Sequence, residues 1–371
     1  MNIALVHEWL VNYYGSEKCV ESFTNIWSEA PIFALVDFLN DADRKIITKG
    51  KRAETSFIQN LPLAKKHHRI YLPLFPLAVE QHDVSGYDVV LSSSHSVAKG
   101  VLTSSNQLHI CYCHTPIRYA WDLYHQYLNE LNIKGGLKGA FVRWTLHKIR
   151  IWDYISSNRV DHFIANSSHI ARRIKKIYNR DAVVIHPPVD IDRIESSSNK
   201  ENYYLTASRF VPYKKIDAVV EAFSHLPDKK LIVIGEGPDK SKIEKLAGKN
   251  VEILPRQNFE NLTEYMRNAK GFIFAAEEDF GITMVEALAA GTPVLAYNVG
   301  GASEIVRNGV SGFLFNNQSP KAIASAVKEF ETIENKFDSA GIAKYAGKFS
   351  RTNFENSIRQ FVQLKYDEFY K

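Results

Sequence analysis

GFIFAAEEDFGITMVEALAAGTPVLAY, Gly271 to Tyr297, sets two apolar runs on either side of a stretch rich in small residues. GFIFAA and TPVLAY have the length and content of strands buried on both faces. Between them, Phe280 to Ala290 reads as a helix that Gly291-Thr292-Pro293 stops. A strand, a helix and a second buried strand in this order form the crossover unit of a parallel sheet. Two carboxylates, Glu278 and Glu286, stand at the opening of that helix with seven residues between them.

The same alternation extends outward in both directions. NIALVH, YDVVLSS, LHICYCH, HFIANS and AVVIHPPV read as strands in the first half, and NYYLTAS, KKLIVIG, NVEILP, GFIFAA and TPVLAY in the second. Helical spacing fills the intervals, as at Val20, Phe23 and Trp27 or at Ile170, Ile174 and Tyr178. Two successive runs of this kind predict an α/β protein of two doubly wound domains. Their expected bounds are 1–187 for the first domain and 203–349 for the second. Pro187-Pro188 and the polar run Glu195 to Asn202 mark 188–202 as a linker, and 350–371 reads as a terminal helix. Thr352-x-x-Glu355 has the spacing of a capping box, and Phe354, Ile358, Phe361 and Val362 share one helical face.

Composition narrows the class. A chain of 371 residues, 45% hydrophobic and 23% charged, buries large cores, and extended disorder is not expected. No apolar run approaches the roughly 20 residues of a membrane span. Glu8 interrupts the apolar start too early for a secretory signal. The expectation is a cytoplasmic protein, soluble or peripherally attached. Cys19, Cys111 and Cys113 give neither a disulfide framework nor a zinc set and read as buried small side chains. Net charge is +5, and residues 49–180 hold 19 Lys/Arg against 8 Asp/Glu. Such a basic half suits an anionic membrane, a phosphorylated ligand or nucleic acid, and charge alone does not choose.

Ligands of parallel sheets bind beyond the carboxyl ends of the strands, so the loops there matter most. Gly15-Ser16 follows the first strand and opens a helix, where backbone N–H groups meet phosphate. Neither a dinucleotide fingerprint nor a P-loop is present. Ser208 to Lys215 follows the first strand of the second half, and Arg209 with Lys214 suits a diphosphate. The N–H groups of Gly281, Ile282 and Thr283 are expected to hold negative charge at the helix start, with Phe280 opening it. Glu286, one turn inside, can accept from a vicinal diol, and Glu278 from sugar hydroxyls. His114 ends the strand LHICYCH. Asp190-x-Asp192 has the look of a metal-holding pair, but it falls away from any phosphate loop and is not read as one.

Together Glu278-x7-Glu286, Arg209 with Lys214, Gly15-Ser16 and His114 resemble glycosyltransferase family 4. The resemblance implies the GT-B architecture, two Rossmann-like domains facing across a cleft, with the terminal helix packing back on the N-terminal domain. It implies a retaining transferase that needs no metal or other cofactor and uses a nucleotide-sugar donor. Glu286 then holds the ribose and Glu278 the donor hexose, while Arg209 and Lys214 hold the diphosphate. Gly15 and Ser16 add backbone donors, and His114 lies beside the transferred sugar. The family usually has Gly-Gly where this chain has Gly15-Ser16, and often a glycine where it has Lys215.

LPLAKKHHRIYLPLFPLAVE, YDVVLSSSHSVAKGV and HICYCHTPIRYAWDLY resemble bacterial O-antigen and capsule mannosyltransferases. That narrower resemblance implies GDP-mannose as donor, a lipid-linked glycan acceptor and no nucleic acid. Competing readings are a UDP-sugar transferase, a nucleotide-sugar epimerase, a phosphorylase, or a non-catalytic protein of the same fold. Lys65, Lys66 and Arg69, with GLKGAFVRWTLHKIRIW further on, read as a basic, aromatic-edged surface for the anionic inner face of the plasma membrane.

Overall fold

The computed structural model describes residues 1–130, 133 and 135–371. They divide into one unit of Met1–Pro188 with Phe354–Lys371 and a second of Val189–Asn353. The first unit holds seven strands: β1 (Ile3–His7), β2 (Ile32–Ala34), β3 (Glu54–Thr55), β4 (Val89–Ser94), β5 (Leu108–Cys113), β6 (His162–Ala165) and β7 (Ala182–Val184). All pair in parallel in the order β3-β2-β1-β4-β5-β6-β7. Residues alternate across the sheet, so Ile3 and Leu5 join one core layer while Ala4 and Val6 join the opposite one. That burial of both faces is why β1, the first half of β4 and most of β5 read as apolar runs.

The second unit repeats the plan with β8 (Tyr203–Ala207), β9 (Lys230–Ile234), β10 (Val251–Leu254), β11 (Gly271–Phe274), β12 (Val294–Tyr297) and β13 (Gly312–Phe315). Its parallel order is β10-β9-β8-β11-β12-β13. Phe272 and Phe274 lie in one core layer and Ile273 in the other. Both units are doubly wound, as the alternation predicts.

Three features depart from the sequence reading. Residues 188–202 do not hang between the units. Val189 is buried and donates to Phe349 O at 3.1 Å, and Asp190 pairs with Arg351 at 2.7 Å, within the second unit. That ion pair also uses the first aspartate of the Asp-x-Asp sequence. The last helix, Arg351–Phe369, begins before Thr352; Ser350 Oγ accepts from Asn353 N at 3.2 Å and supplies the cap expected of Thr352. Glu355 accepts instead from Asn25 Nδ2 at 2.7 Å. Phe354, Ile358 and Val362 are buried in the first unit, with Phe354 stacked on Phe23 at 5.9 Å between centroids. Third, β2, β3 and β13 were not expected.

Candidate active site

β8 and β11 are neighbours, so the loops leaving their carboxyl ends lie side by side in the second unit. The first loop carries Arg209, which is exposed, and Lys214. Its path is fixed by Gly235 and Glu236, which follow β9. Phe210 N donates to Glu236 O at 2.8 Å, and a Cβ on Gly235 would lie 1.9 Å from Ser208 O. Only glycine permits that approach.

The second loop, 275–281, carries Glu278. Lys214 Nζ and Glu278 form an ion pair that ties the two loops together. Behind Glu278 the chain is clamped by Gly300 and Gly301: Gly301 N donates to Glu278 O at 2.8 Å. A Cβ on Gly300 would sit 2.1 Å from that same oxygen, and one on Gly301 2.2 Å from Phe280 O. The Gly-Gly after β12 therefore sets where the Glu278 carboxylate stands.

The following helix is Ile282–Ala289 rather than one opening at Phe280. Gly281, at φ 100°, is its first flanking residue, and the Phe280 side chain is buried against Phe349 at 5.7 Å. Phe280 is thus a core residue, and its part in the site is to anchor the loop. Ile282 and Thr283 begin the helix, whose first amides have no carbonyl of the preceding turn to bond. Gly291 N donates to Leu288 O at 2.9 Å and Thr292 N to Ala287 O at 3.0 Å, the paired bonds of a Schellman stop. Glu286, 7% exposed, stands one turn inside, four residues from Ile282 and three from Thr283. The structure therefore brings Lys214, Glu278, Ile282, Thr283 and Glu286 to one sheet end, with Arg209 on the adjoining loop.

In the first unit, Gly15 opens the helix Gly15–Ile26 as expected. The Ser16 hydroxyl is already engaged, donating to Glu17 Oε2 at 3.0 Å, while Tyr14 N donates to the same oxygen at 3.1 Å. Only the backbone of Gly15 and Ser16 remains to serve a phosphate. His114 follows β5 and is half-buried; burial, then His95 and His7, push its pKa well below the usual histidine value. Its Nε2 lies 2.9 Å from Ser93 Oγ. Glu8, fully buried at the end of β1, accepts from Ser94 Oγ and from the amides of His95, Ser96, Val97 and Ala98 at 2.7–3.1 Å. Burial raises its pKa, but His95 and those amides outweigh the effect and hold it below the ordinary value.

His7, Glu8, Glu17 and Ser93 were not singled out from sequence. The signal that selected His114, a polar residue at the carboxyl end of a buried strand, applies equally to His7. Gly235 and Gly300-Gly301 were legible by the same rule, since each directly follows or closes a strand end.

Lys65 and Lys66 are exposed on the short helix Ala64–His67, and Arg69 lies over the Trp9 ring at 5.3 Å. Among the described residues, no helix is long and apolar enough to cross a membrane, and no group of three or more His, Cys, Asp or Glu is placed to hold a metal ion. All three cysteines are buried free thiols.

Two family models match the chain: Glycosyltransferase Family 4 over residues 40–193 and Glycosyl transferases group 1 over residues 189–348. An uncharacterised glycosyltransferase of Methanocaldococcus jannaschii is 25% identical over 305 residues, 80% of this chain and 82% of the relative. The D-inositol 3-phosphate glycosyltransferase of Mycolicibacterium gilvum is 31% identical over 198 residues, 46% of this chain and 45% of its own. Among solved structures, Anabaena HepE in complex with UDP and glucose superposes with a TM-score of 0.70 over 98% of this chain and 99% of that one, at 17% identity.

Proposed function

Because the chain is a glycosyltransferase of the family 4 type with the GT-B fold, we propose that it transfers a hexose from a nucleotide sugar to a lipid-linked oligosaccharide or polysaccharide, with retention and without a metal. The observation that carries this reading is the meeting of Lys214, Glu278, the helix start at Ile282 and Glu286 at one sheet end. A nucleoside diphosphate leaves as a dianion, and charge must be met where it develops. Arg209 offers a planar fork and Lys214 a point charge with three donors, enough to hold Glu278 and a phosphate oxygen together. The amides of Ile282 and Thr283 add fixed dipoles. Glu286 accepts from the ribose diol, and Glu278 from the hexose hydroxyls. In the first unit, Gly15, Ser16 and His114 keep the roles that the resemblance assigns. Retention without a carboxylate nucleophile proceeds by front-face attack within an oxocarbenium-like ion pair.

GDP-mannose is the proposed donor, on the resemblance of the N-terminal half to mannosyltransferases. UDP-glucose, which Anabaena HepE has been crystallised with, is the competitor. In a thermal-shift and calorimetry panel, GDP-mannose is expected to bind more tightly than UDP-glucose or UDP-N-acetylglucosamine. Tighter UDP-sugar binding would replace the donor and keep the reaction. Binding without transfer to any glycan acceptor would favour a non-catalytic protein, and a product isomeric with the donor an epimerase.

Transfer is expected to persist in EDTA, because Arg209, Lys214 and the helix amides supply the charge a metal would otherwise bring. Activity lost to EDTA and restored by magnesium or manganese would overturn that part.

The enzyme is further proposed to work on the anionic cytoplasmic face of the membrane. The helix Gly136–Ser156 presents Leu137, Phe141, Trp144, Ile151 and Ile155 outward, each 43–93% exposed, at spacings of three, four and seven residues. Its basic residues are Lys138, Arg143, Lys148 and Arg150, and its single acid, Asp153, is buried in a pair with Lys99. On its inner side Ile149 shares a cluster with Leu72, and Trp152 Nε1 donates to Glu80 at 2.9 Å. The segment bearing Lys65, Lys66 and Arg69 thus adjoins this helix. An apolar stripe flanked by cations suits the headgroup boundary of an anionic bilayer.

A further inference from the structure

Trp9, next to the buried Glu8 at the end of β1, gathers three nitrogen-bearing side chains. The His68 ring lies 5.3 Å from its indole and the His95 ring 4.7 Å, edge-on, while the Arg69 guanidinium lies over it at 5.3 Å. His68 and Arg69 open the short turn His68–Leu74, and His95 directly follows β4.

The donors of this cluster are unused. His68 is 8% exposed, and neither of its ring nitrogens has a hydrogen-bond partner. His95 Nδ1 is likewise buried and unpartnered. A neutral imidazole always carries one N–H, so at His68 a donor is buried without an acceptor in either tautomer. That costs free energy, which a bound acceptor recovers. Among the described residues no carboxylate pairs with Arg69, and Trp9 Nε1 donates to none. Glu8 lies close enough to act on His95, but its oxygens accept from Ser94 Oγ and four amides. Burial, then the Arg69 charge, lowers the His68 pKa to about 4. Burial also lowers that of His95, opposed by Glu8 and Glu17 and aided by His7 and Arg69. Both rings therefore meet a ligand as neutral donors. A guanidinium over an aromatic face keeps its fork of N–H groups clear at the edge, and that fork matches phosphate.

We propose that Arg69, His68 and His95, gathered on Trp9, bind the phosphate of the acceptor, a short saccharide joined through a phosphate ester to a lipid. Calling that ligand the acceptor rests on the transferase reading; the phosphate site does not. In that reading Arg209 and Lys214 serve the donor diphosphate from the second unit, which leaves a phosphate reader in the first unit to the other substrate. The lipid is argued from what adjoins Arg69: Leu63, Ile70 and Leu77 of the same stretch are 52–64% exposed. The short saccharide is argued from His95, 4.7 Å from Trp9 and 6.1 Å from His114. Only these two ring-to-ring steps separate the phosphate from the residue read as lying beside the transferred sugar.

The test is calorimetry on the full chain with octyl glucosyl phosphate, octyl glucoside and inorganic phosphate. The phosphate ester is expected to bind at least about 10-fold more tightly than the glucoside. Arg69→Gln should remove that advantage and Arg69→Lys keep part of it, since Arg69 is exposed and its replacement leaves the core intact. In nitrogen-15 histidine spectra, ester binding should move the ring signals of His68 and His95. Those of His82, packed on Phe33, and His109, bonded to Ser92 Oγ, should stay. An ester no tighter than the glucoside, or one indifferent to Arg69→Gln, would overturn the proposal. Inorganic phosphate that binds as tightly as the ester would reduce the cluster to a site for free anions and overturn it too. So would an Arg69→Gln that loses as much attachment to anionic vesicles as Lys65→Gln while ester affinity holds, because Arg69 would then read bilayer headgroups. These measurements need no turnover, so tight ester binding in a protein that transfers no sugar would defeat the functional reading alone.

Discussion

Glu286→Ala is expected to raise the dissociation constant for donor nucleotide about 10- to 100-fold while kcat changes little. Glu278→Ala is expected to lower kcat by about 100-fold or more while nucleotide affinity holds or tightens. The first magnitude follows from hydrogen bonds to a charged acceptor, worth about 1.5–3 kcal/mol, at about 1.4 kcal/mol per tenfold. The ribose does not change on reaction, so that contact is equal in ground and transition states and its loss appears as binding. In the role proposed for it, Glu278 stands by the ring where positive charge develops, and losing a preorganised electrostatic group commonly costs about 10²–10³ in kcat.

The sign on nucleotide affinity comes from the ion pair. Removing Glu278 takes the carboxylate of that ion pair away from Lys214, which favours contact of its ammonium with the diphosphate. Glu278→Gln serves as a control that keeps the shape and removes the charge. Calorimetry with the nucleoside diphosphate and steady-state kinetics with the full donor separate the two effects. If both alanine substitutions changed only KM for donor, the assigned roles would be wrong.

The fold was legible wherever strands are buried on both faces. β1, β4, β5, β8, β9, β11 and β12 each carry an apolar run, because their apolar side chains enter core layers on both faces of the sheet. β3 was not legible, since Glu54-Thr55 contains no apolar residue and exists as a strand only because β2 offers it an edge. β2 lies in the apolar run PIFALV, but three residues of strand give too short a pattern to separate from a loop. β13 opens with Gly312, which from sequence reads as a turn. Residues 188–202 have a linker's composition, and what seats them is tertiary: the pairing of Asp190 with an arginine 161 positions away.

The site divides the same way. Glu278, Glu286, Arg209 and Lys214 are polar residues at strand ends or helix starts, and position along the chain sufficed to select them. The Lys214–Glu278 pair and the gathering of His68 and His95 on Trp9 depend on which segments are neighbours, and these residues are far apart in sequence. A lone histidine at a strand end reads as a core residue until its neighbour across the sheet is known. The Phe280 side chain is buried, and the sequence beside Gly281 does not tell which way that side chain points.

At low salt the protein is expected to pellet with vesicles containing phosphatidylglycerol or phosphatidylserine, and to be released as salt rises. Each Lys or Arg near such a surface contributes about 1 kcal/mol, so replacing Lys65, Lys66 and Arg69 with serine should weaken attachment roughly 100-fold. Arg69 is held over Trp9 and gives the least of the three if that stacking persists on the membrane. The outward stripe adds a part that salt does not screen. Phe141→Ser with Trp144→Ser should therefore reduce the fraction that remains bound at high salt, whereas the charge substitutions reduce mainly the low-salt fraction. Trp144 is one of five tryptophans, so a blue shift of emission on adding vesicles must be lost in Trp144→Phe to report insertion of this helix. The other occupant of an exposed apolar stripe is a second copy of the chain, which light scattering without vesicles would reveal as a dimer dissociated by the Phe141 and Trp144 substitutions. Neutral vesicles should bind far less than anionic ones, and nucleotide affinity should be unchanged in every surface variant, since none of these residues lies in the second unit. Pelleting that ignores salt, lipid charge and both sets of substitutions would refute attachment through this surface.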